Sequence, residues 1–178
     1  MDSPLSDDEL RKPQPGMVAL DGTDRAILAA LLADGRMTNA ALAARVGVAE
    51  STCAYRVKAL RDAGVIRGIG ARLDLRALGY PIQAIVKVRL DSHDRKHVLD
   101  LHERLVRVPG SLAVFHVAGE DDFHMHVAVE SPERLRDLVL EHVTNHPIVR
   151  QTETHLVFDV RDGRGVLDEA DYRPRSRR

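Results

Sequence analysis

Between His116 and Glu130 the chain reads HVAGEDDFHMHVAVE. Three consecutive carboxylates, Glu120, Asp121 and Asp122, precede two imidazoles, His124 and His126, that stand one residue apart. This crowding admits three chemistries. Imidazoles and carboxylates together can ligate a divalent metal. A loop led by Gly119 can hold a ligand's carboxylate on backbone N–H groups while an acidic side chain holds its ammonium group. Acids and glycine also favour a plain solvated hairpin turn. Zinc requires three or four ligands in tetrahedral geometry, and the single cysteine, Cys53, lies far away in the sequence. The two-histidine signal is therefore too weak to assign a metal, and no cofactor is assigned.

A second group of polar residues lies in the amino-terminal half. Ser51, Thr52, Tyr55, Arg56 and Lys58 fall within one eight-residue run, with Asn39 upstream and Arg67 and Arg72 downstream. Hydroxyls and cations of this kind suit base edges and phosphates. The charge distribution agrees. From Arg36 to Arg76 eight basic side chains face three acids, whereas all nine histidines lie beyond residue 90. Two domains of different chemistry are expected.

Composition excludes several classes. With 44% hydrophobic and 30% charged residues in a chain of 178, the protein has ordinary globular content. No apolar run approaches the roughly 20 residues that cross a bilayer, and MDSPLSDDELRK has acids where a signal peptide needs a basic start. A cytoplasmic location is expected. Absent tryptophan and 3% aromatics disfavour stacking platforms for single strands, so any nucleic acid bound is expected to be duplex.

The elements that would position the cations follow from periodicity. Residues 1–19 carry three prolines and several acids and read as a disordered arm. Asp21 is a suitable N-cap for a helix with Ile27, Leu28, Leu31 and Leu32 on its apolar side, ending at Gly35. Thr38 caps a short second helix, NAALAARV, and Gly47 permits a tight turn. A third helix runs from about Glu50 to Ala63 on a Cys53/Val57/Leu60 stripe. Ser51, Tyr55, Lys58 and Asp62 lie opposite that stripe, with Thr52 and Arg56 on its flanks. This is the pattern of a helix-turn-helix whose second helix reads DNA. IRGIGARLD then reads as a small wing bearing Arg67 and Arg72.

The run from Leu20 to Gly79 resembles the Lrp/AsnC (leucine-responsive and asparagine regulator) transcription factors almost end to end. The resemblance is carried by Leu20-Asp21 and Asp24, Asp34-Gly35-Arg36, Arg56-Val57, Leu60 and Gly64-Val65-Ile66. It implies a homodimeric regulator, often assembled into octamers, whose second domain binds a small effector, usually an amino acid. There are departures: Ala49 stands where the family usually has a serine N-cap, Ile69 where the wing commonly has an aromatic, and Tyr55 at a position often basic.

The carboxy-terminal half is predicted independently as βαββαβ. Ile82–Leu90 alternates Ile82, Ala84, Val86, Val88 and Leu90 against Gln83, Lys87 and Arg89. A helix with Val98, Leu101 and Leu105 inside follows from about Asp94. Two strands, SLAVFHVAG and FHMHVAVE, come next. Ser131-Pro132 then opens a helix with Leu135, Leu138, Val139 and His142 on one side, and VRQTETHLVFDV is the last strand. The expected class is α+β: a winged helix-turn-helix at 20–74, a linker at 75–81, a ferredoxin-like domain at 82–160 and a tail at 161–178. His124, His126 and His155 fall on the helix-free face of the sheet, where a two-fold copy of the same face would cover them. The resemblance further implies that Gly119, Glu120, Asp121 and Asp122 line the effector pocket, with Thr152 and Thr154 nearby.

An enzyme is the alternative. Some proteins on this two-domain plan are decarboxylases of haem precursors that use histidines and arginines of the second domain on a tetrapyrrole. The basic helix-turn-helix weighs against that reading, since such an enzyme has no need of it.

Overall fold

The computed structural model describes residues 18–167. The expected arm thus lies outside the described residues except for 18 and 19, as does the tail beyond 167. The chain divides into two units, one comprising residues up to Ala71 together with those from Asp162 onward, the other Arg72–Arg161. The expected boundary at residue 74 falls three residues later. Residues 162–167, expected to belong to a separate tail, group with the amino-terminal unit.

Three helices build that unit: α1 (Gly22–Ala33), α2 (Asn39–Val46) and α3 (Glu50–Asp62). Asp21 caps α1 and forms a capping box, accepting from the Asp24 N–H while the Asp24 carboxylate accepts from the Asp21 N–H. Thr38 Oγ1 accepts from the Ala41 N–H at 3.2 Å and caps α2. Gly47 follows with φ 75°, a left-handed conformation that favours glycine and lets the chain turn sharply into α3. Ala49 gives α3 no side-chain cap. Ile27, Leu28, Leu42, Cys53, Val57 and Leu60 close one core, with Leu167 packed against its edge. Leu32, expected inside, is 70% exposed, and Ala30 occupies the core in its place. Residues 66–74, expected as a wing, run as irregular backbone with no strand pairing.

The second unit has the expected element order: β1 (Ile82–Leu90), α4 (Arg95–Arg107), β2 (Ser111–His116), β3 (Phe123–Val129), α5 (Pro132–Leu138) and β4 (Val149–Val157). The antiparallel sheet has the order β2-β3-β1-β4. Alternation decides the faces. Ala84, Val86 and Val88 of β1 and Phe123, Met125 and Val127 of β3 are fully buried against Leu101 and Leu105 of α4 and against Leu135, Leu138 and Val143. Both helical layers therefore cover one face.

One expectation fails here. Beyond α5 the chain continues as a π-helical segment, Val139–Thr144, so the inner position moves from His142, which is exposed, to Val143, which is fully buried. The wider i→i+5 spacing carries the apolar stripe from Leu138 directly to Val143. The Thr144 hydroxyl donates to the Val139 carbonyl at 3.2 Å across the same five-residue step.

Candidate DNA interface and ligand loop

On α3 the buried Cys53, Val57 and Leu60 turn the remaining face outward, and Ser51, Thr52, Tyr55 and Lys58 are all exposed. Tyr55 is 74% exposed, although large aromatics normally bury most of their surface. Asn39 opens α2 and is exposed. Lys58 pairs with Asp62 one turn along. At an exposed i,i+4 site such a pair is screened by solvent, contributes little, and yields readily to a phosphate.

Arg56 is placed differently. Its Nη1 donates to Asp21 Oδ2 at 2.7 Å and to Asp24 Oδ1 at 2.8 Å, and the side chain is 30% exposed. The two carboxylates are those of the α1 capping box, so Arg56 ties α3 to the start of α1. The backbone N–H of Asp24, and after it the Arg56 guanidinium, hold the Asp21 carboxyl below its ordinary range. Arg56, expected among the DNA contacts, is thus engaged within the domain, where its geometry supports a positioning role. Sequence spacing placed Arg56 on the flank of the helix; it could not show that two acids wait there. Arg67 lies on the irregular segment after α3, beside a cleft lined by Leu28, Leu31, Ile69 and Leu167. Arg72 falls in the second unit.

The acidic loop joins β2 to β3. The Val117 N–H donates to the Asp122 carbonyl, and the Asp122 N–H to the Val88 carbonyl, both at 2.9 Å, which pins the loop to the end of β1. Gly119 has φ 142°, a region that side chains other than glycine rarely enter. Asp121 is turned toward the helix-free face of the sheet. Its Oδ1 accepts from Arg89 Nε at 2.8 Å, and its Oδ2 from His124 Nε2 at 3.1 Å, with Lys87 Nζ at 3.6 Å. The Arg89 hydrogen bond, followed by that from His124, lowers the Asp121 pKa to about 2. Asp122 Oδ2 accepts from the Leu90 N–H at 2.8 Å, and its Oδ1 lies 2.6 Å from His93 Nε2. Glu120 is the outward carboxylate: 80% exposed, with Oε1 3.0 Å from Arg89 Nη1.

The three acids expected to line the effector pocket therefore differ in how far they are already engaged. Asp121 and Asp122 hold the loop in shape, and Glu120 beside Arg89 is left facing solvent. Thr152 and Thr154 are not gathered with them. They pair with Val88 and Val86 and so share the helix-covered side, whereas Glu153, opposite Lys87, shares the face of Asp121. Lys87 and Arg89, missed as site residues, were detectable: their alternation puts them on the same side as His124.

His124 and His126 also occupy that face. His126 Nε2 lies 3.0 Å from Gln83 Oε1, and burial lowers its pKa from the ordinary value. Among the described residues no group of three or more His, Cys, Asp or Glu side chains is arranged to hold a metal ion, and no helix is long and apolar enough to cross a membrane.

Comparison with known proteins bears on both units. A winged helix-turn-helix DNA-binding model matches residues 20–67, and the Lrp/AsnC ligand binding domain matches residues 83–166. The regulator AldR of Mycobacterium tuberculosis is 42% identical over 79% of this chain and 78% of its own. The chain belongs to the Lrp/AsnC family. It is thus a DNA-binding transcriptional regulator with a ligand-binding domain. The leucine-responsive regulatory protein of Rhizobium meliloti is 38% identical over 79% of this chain and 90% of its own. Among solved structures, an L-Met complex of a Neisseria meningitidis regulator matches with a TM-score of 0.73 and 28% identity over 79% of this chain and 91% of its own. The M. tuberculosis AldR crystal structure matches at 0.67, with 39% identity over 83% and 99%. These Lrp/AsnC relatives are named as transcriptional regulators, and the matches lend the tetrapyrrole decarboxylase no support.

Proposed function

We propose that this Lrp/AsnC regulator works in the cytoplasm as a homodimer or a higher assembly such as an octamer, reads duplex DNA through α3, and changes its DNA affinity when an amino acid binds at the loop Gly119–Asp122. The observation that carries the reading is the Arg89–Glu120 pair. An α-amino acid presents a carboxylate beside an ammonium group, and a guanidinium beside a solvent-facing carboxylate is its charge complement. The L-Met complex of the Neisseria relative supports the same ligand class. Asp121 and Asp122 serve by fixing the loop, and Thr152 and Thr154, on the helix-covered side of the sheet, lie apart from it. DNA is contacted by Asn39, Ser51, Thr52, Tyr55 and Lys58, with Arg67 and Arg72 reaching flanking phosphates.

The helix-free sheet face supports the dimer. It carries Ile85, Phe115, His124, His126 and Val157 around the ionic cluster, and Phe115 is 54% exposed. A second copy of the same face covers these groups in an isologous contact. The test of the reading is calorimetric titration of the full chain with each of the twenty L-amino acids, in wild type and in Arg89→Met. Saturable binding of at least one amino acid, lost in Arg89→Met, supports it. Heats no larger than dilution for all twenty overturn it.

A further inference from the structure

We propose that the cleft between α5 and the turn after α4 is a second small-molecule site, distinct from the loop at Glu120, and that it takes a basic amino acid such as lysine or arginine. The cleft lies wholly within the ligand-binding unit and has a volume of about 270 Å³. That is close to the lower end of the range of roughly 300–1,000 Å³ for small-molecule sites. Its floor is fixed. The Ala128 N–H donates to the Gly110 carbonyl at 2.9 Å, and Gly110 has φ 87°. A Cβ there would meet the Ala128 carbonyl oxygen at 2.6 Å, so only glycine fits. Pro109, Val129 and Leu138 supply an apolar wall.

The charges around that wall are uncommitted. Glu130, Arg134 and Glu141 line the cleft, and none of their side chains has a hydrogen-bond or ion-pair partner among the described residues. Asp137, also on the rim, is already held by Arg136 at 2.9 Å. Two free carboxylates thus stand with one free guanidinium, the complement of a ligand that carries one carboxylate and two cationic groups. Spacing orders them. Glu130 and Arg134 are near neighbours in sequence, whereas Glu141 lies two helical turns beyond Arg134, roughly 10 Å along the axis. Arg134 and Glu130 suit an α-carboxylate and an α-ammonium, and Glu141 suits a cation at the end of a methylene chain laid along the apolar wall. The backbone supports this placement. The π-helical step seats Val143 in the core and leaves Glu141 and His142 on the cleft, and such turns recur at functional sites.

The test uses the full chain carrying Arg89→Met, which silences the loop site, titrated calorimetrically with L-lysine, L-arginine and L-norleucine. Norleucine has the chain of lysine without its terminal ammonium. A basic amino acid binds saturably, about tenfold or more tighter than norleucine, the worth of one charge-assisted hydrogen bond. Adding Glu141→Gln removes that preference, and adding Arg134→Gln weakens binding of the basic amino acids by about tenfold. Both substitutions lie at exposed helix positions and keep the circular dichroism spectrum unchanged. Heats no larger than dilution for lysine and arginine overturn the site, as does binding that neither Glu141→Gln nor Arg134→Gln alters. Binding of a neutral amino acid that Arg89→Met abolishes belongs to the loop, so the two sites fail separately.

Discussion

Arg56 in the third helix donates to Asp21, the N-cap of the first, at 2.7 Å, and the same nitrogen reaches Asp24 at 2.8 Å. The side chain that charge and spacing nominate for DNA thus fastens the reading helix to the domain. Arg56→Gln is expected to lower stability by about 1 kcal/mol, discounted for the solvent that reaches Asp21. For a unit of this size that is about 4–8 °C in Tm. Thermal unfolding and a DNA salt titration check it together: Tm falls, while the salt slope remains that of wild type.

Lys58 carries the opposite expectation. Its pair with Asp62 is exposed and readily traded. Lys58→Ala should leave Tm almost unchanged, weaken binding to specific and scrambled duplexes alike, and reduce the salt slope by about 0.9. An unchanged slope removes Lys58 from the interface.

Much of this was legible beforehand, and the failures share a cause. Caps at Asp21 and Thr38, the Cys53/Val57/Leu60 stripe and the alternation of β1 are local, so one short stretch contains both the signal and its consequence. Arg56 meets carboxylates more than 30 residues away, and Asp121 meets Arg89 32 residues away. No periodicity encodes such pairs. Thr152 and Thr154 were grouped with the loop by resemblance, although the strand register that sets their side depends on β1. The π-helical segment leaves no periodic signal, because a 3.6-residue stripe and an i→i+5 step differ by a single position, His142 against Val143.

The sheet face makes stability depend on pH. Burial lowers the pKa of His126, so the folded state favours the neutral ring. Its contribution is fully present above the unfolded value of about 6.5 and is lost as pH falls through the lower folded value. Asp121, at about 2 in the folded protein, contributes fully above the ordinary carboxylate value near 3.8 and loses that contribution as pH falls toward 2. Urea midpoints between pH 8 and pH 3 should therefore decline first below about 6.5. His126→Gln should flatten that first decline and leave the later one. Retention of the full decline in His126→Gln contradicts the assignment.

Phe115, 54% exposed beside His124 on the helix-free face, reports on assembly. Phe115→Lys places like charges across a two-fold contact and should shift the protein toward monomer in light scattering. DNA affinity should fall with it, because the proposed dimer links two reading heads. The wild-type mass in Phe115→Lys shows that the subunits meet elsewhere.

The central claim is that the loop at Glu120 couples an amino acid to DNA binding. Coupling requires the ligand to bind two states of the protein with different affinity, so removing its contact removes the coupling and spares the DNA site. Glu120 suits the test better than Asp122, which holds the Leu90 N–H and so the loop itself. The measurement is operator affinity with and without the amino acid found by calorimetry, in wild type and in Glu120→Gln. The account predicts equal affinity for the two proteins without the amino acid, a change of fivefold or more on adding it to wild type, and no change in Glu120→Gln, in line with coupling free energies of about 1–3 kcal/mol. A full response in Glu120→Gln would contradict it.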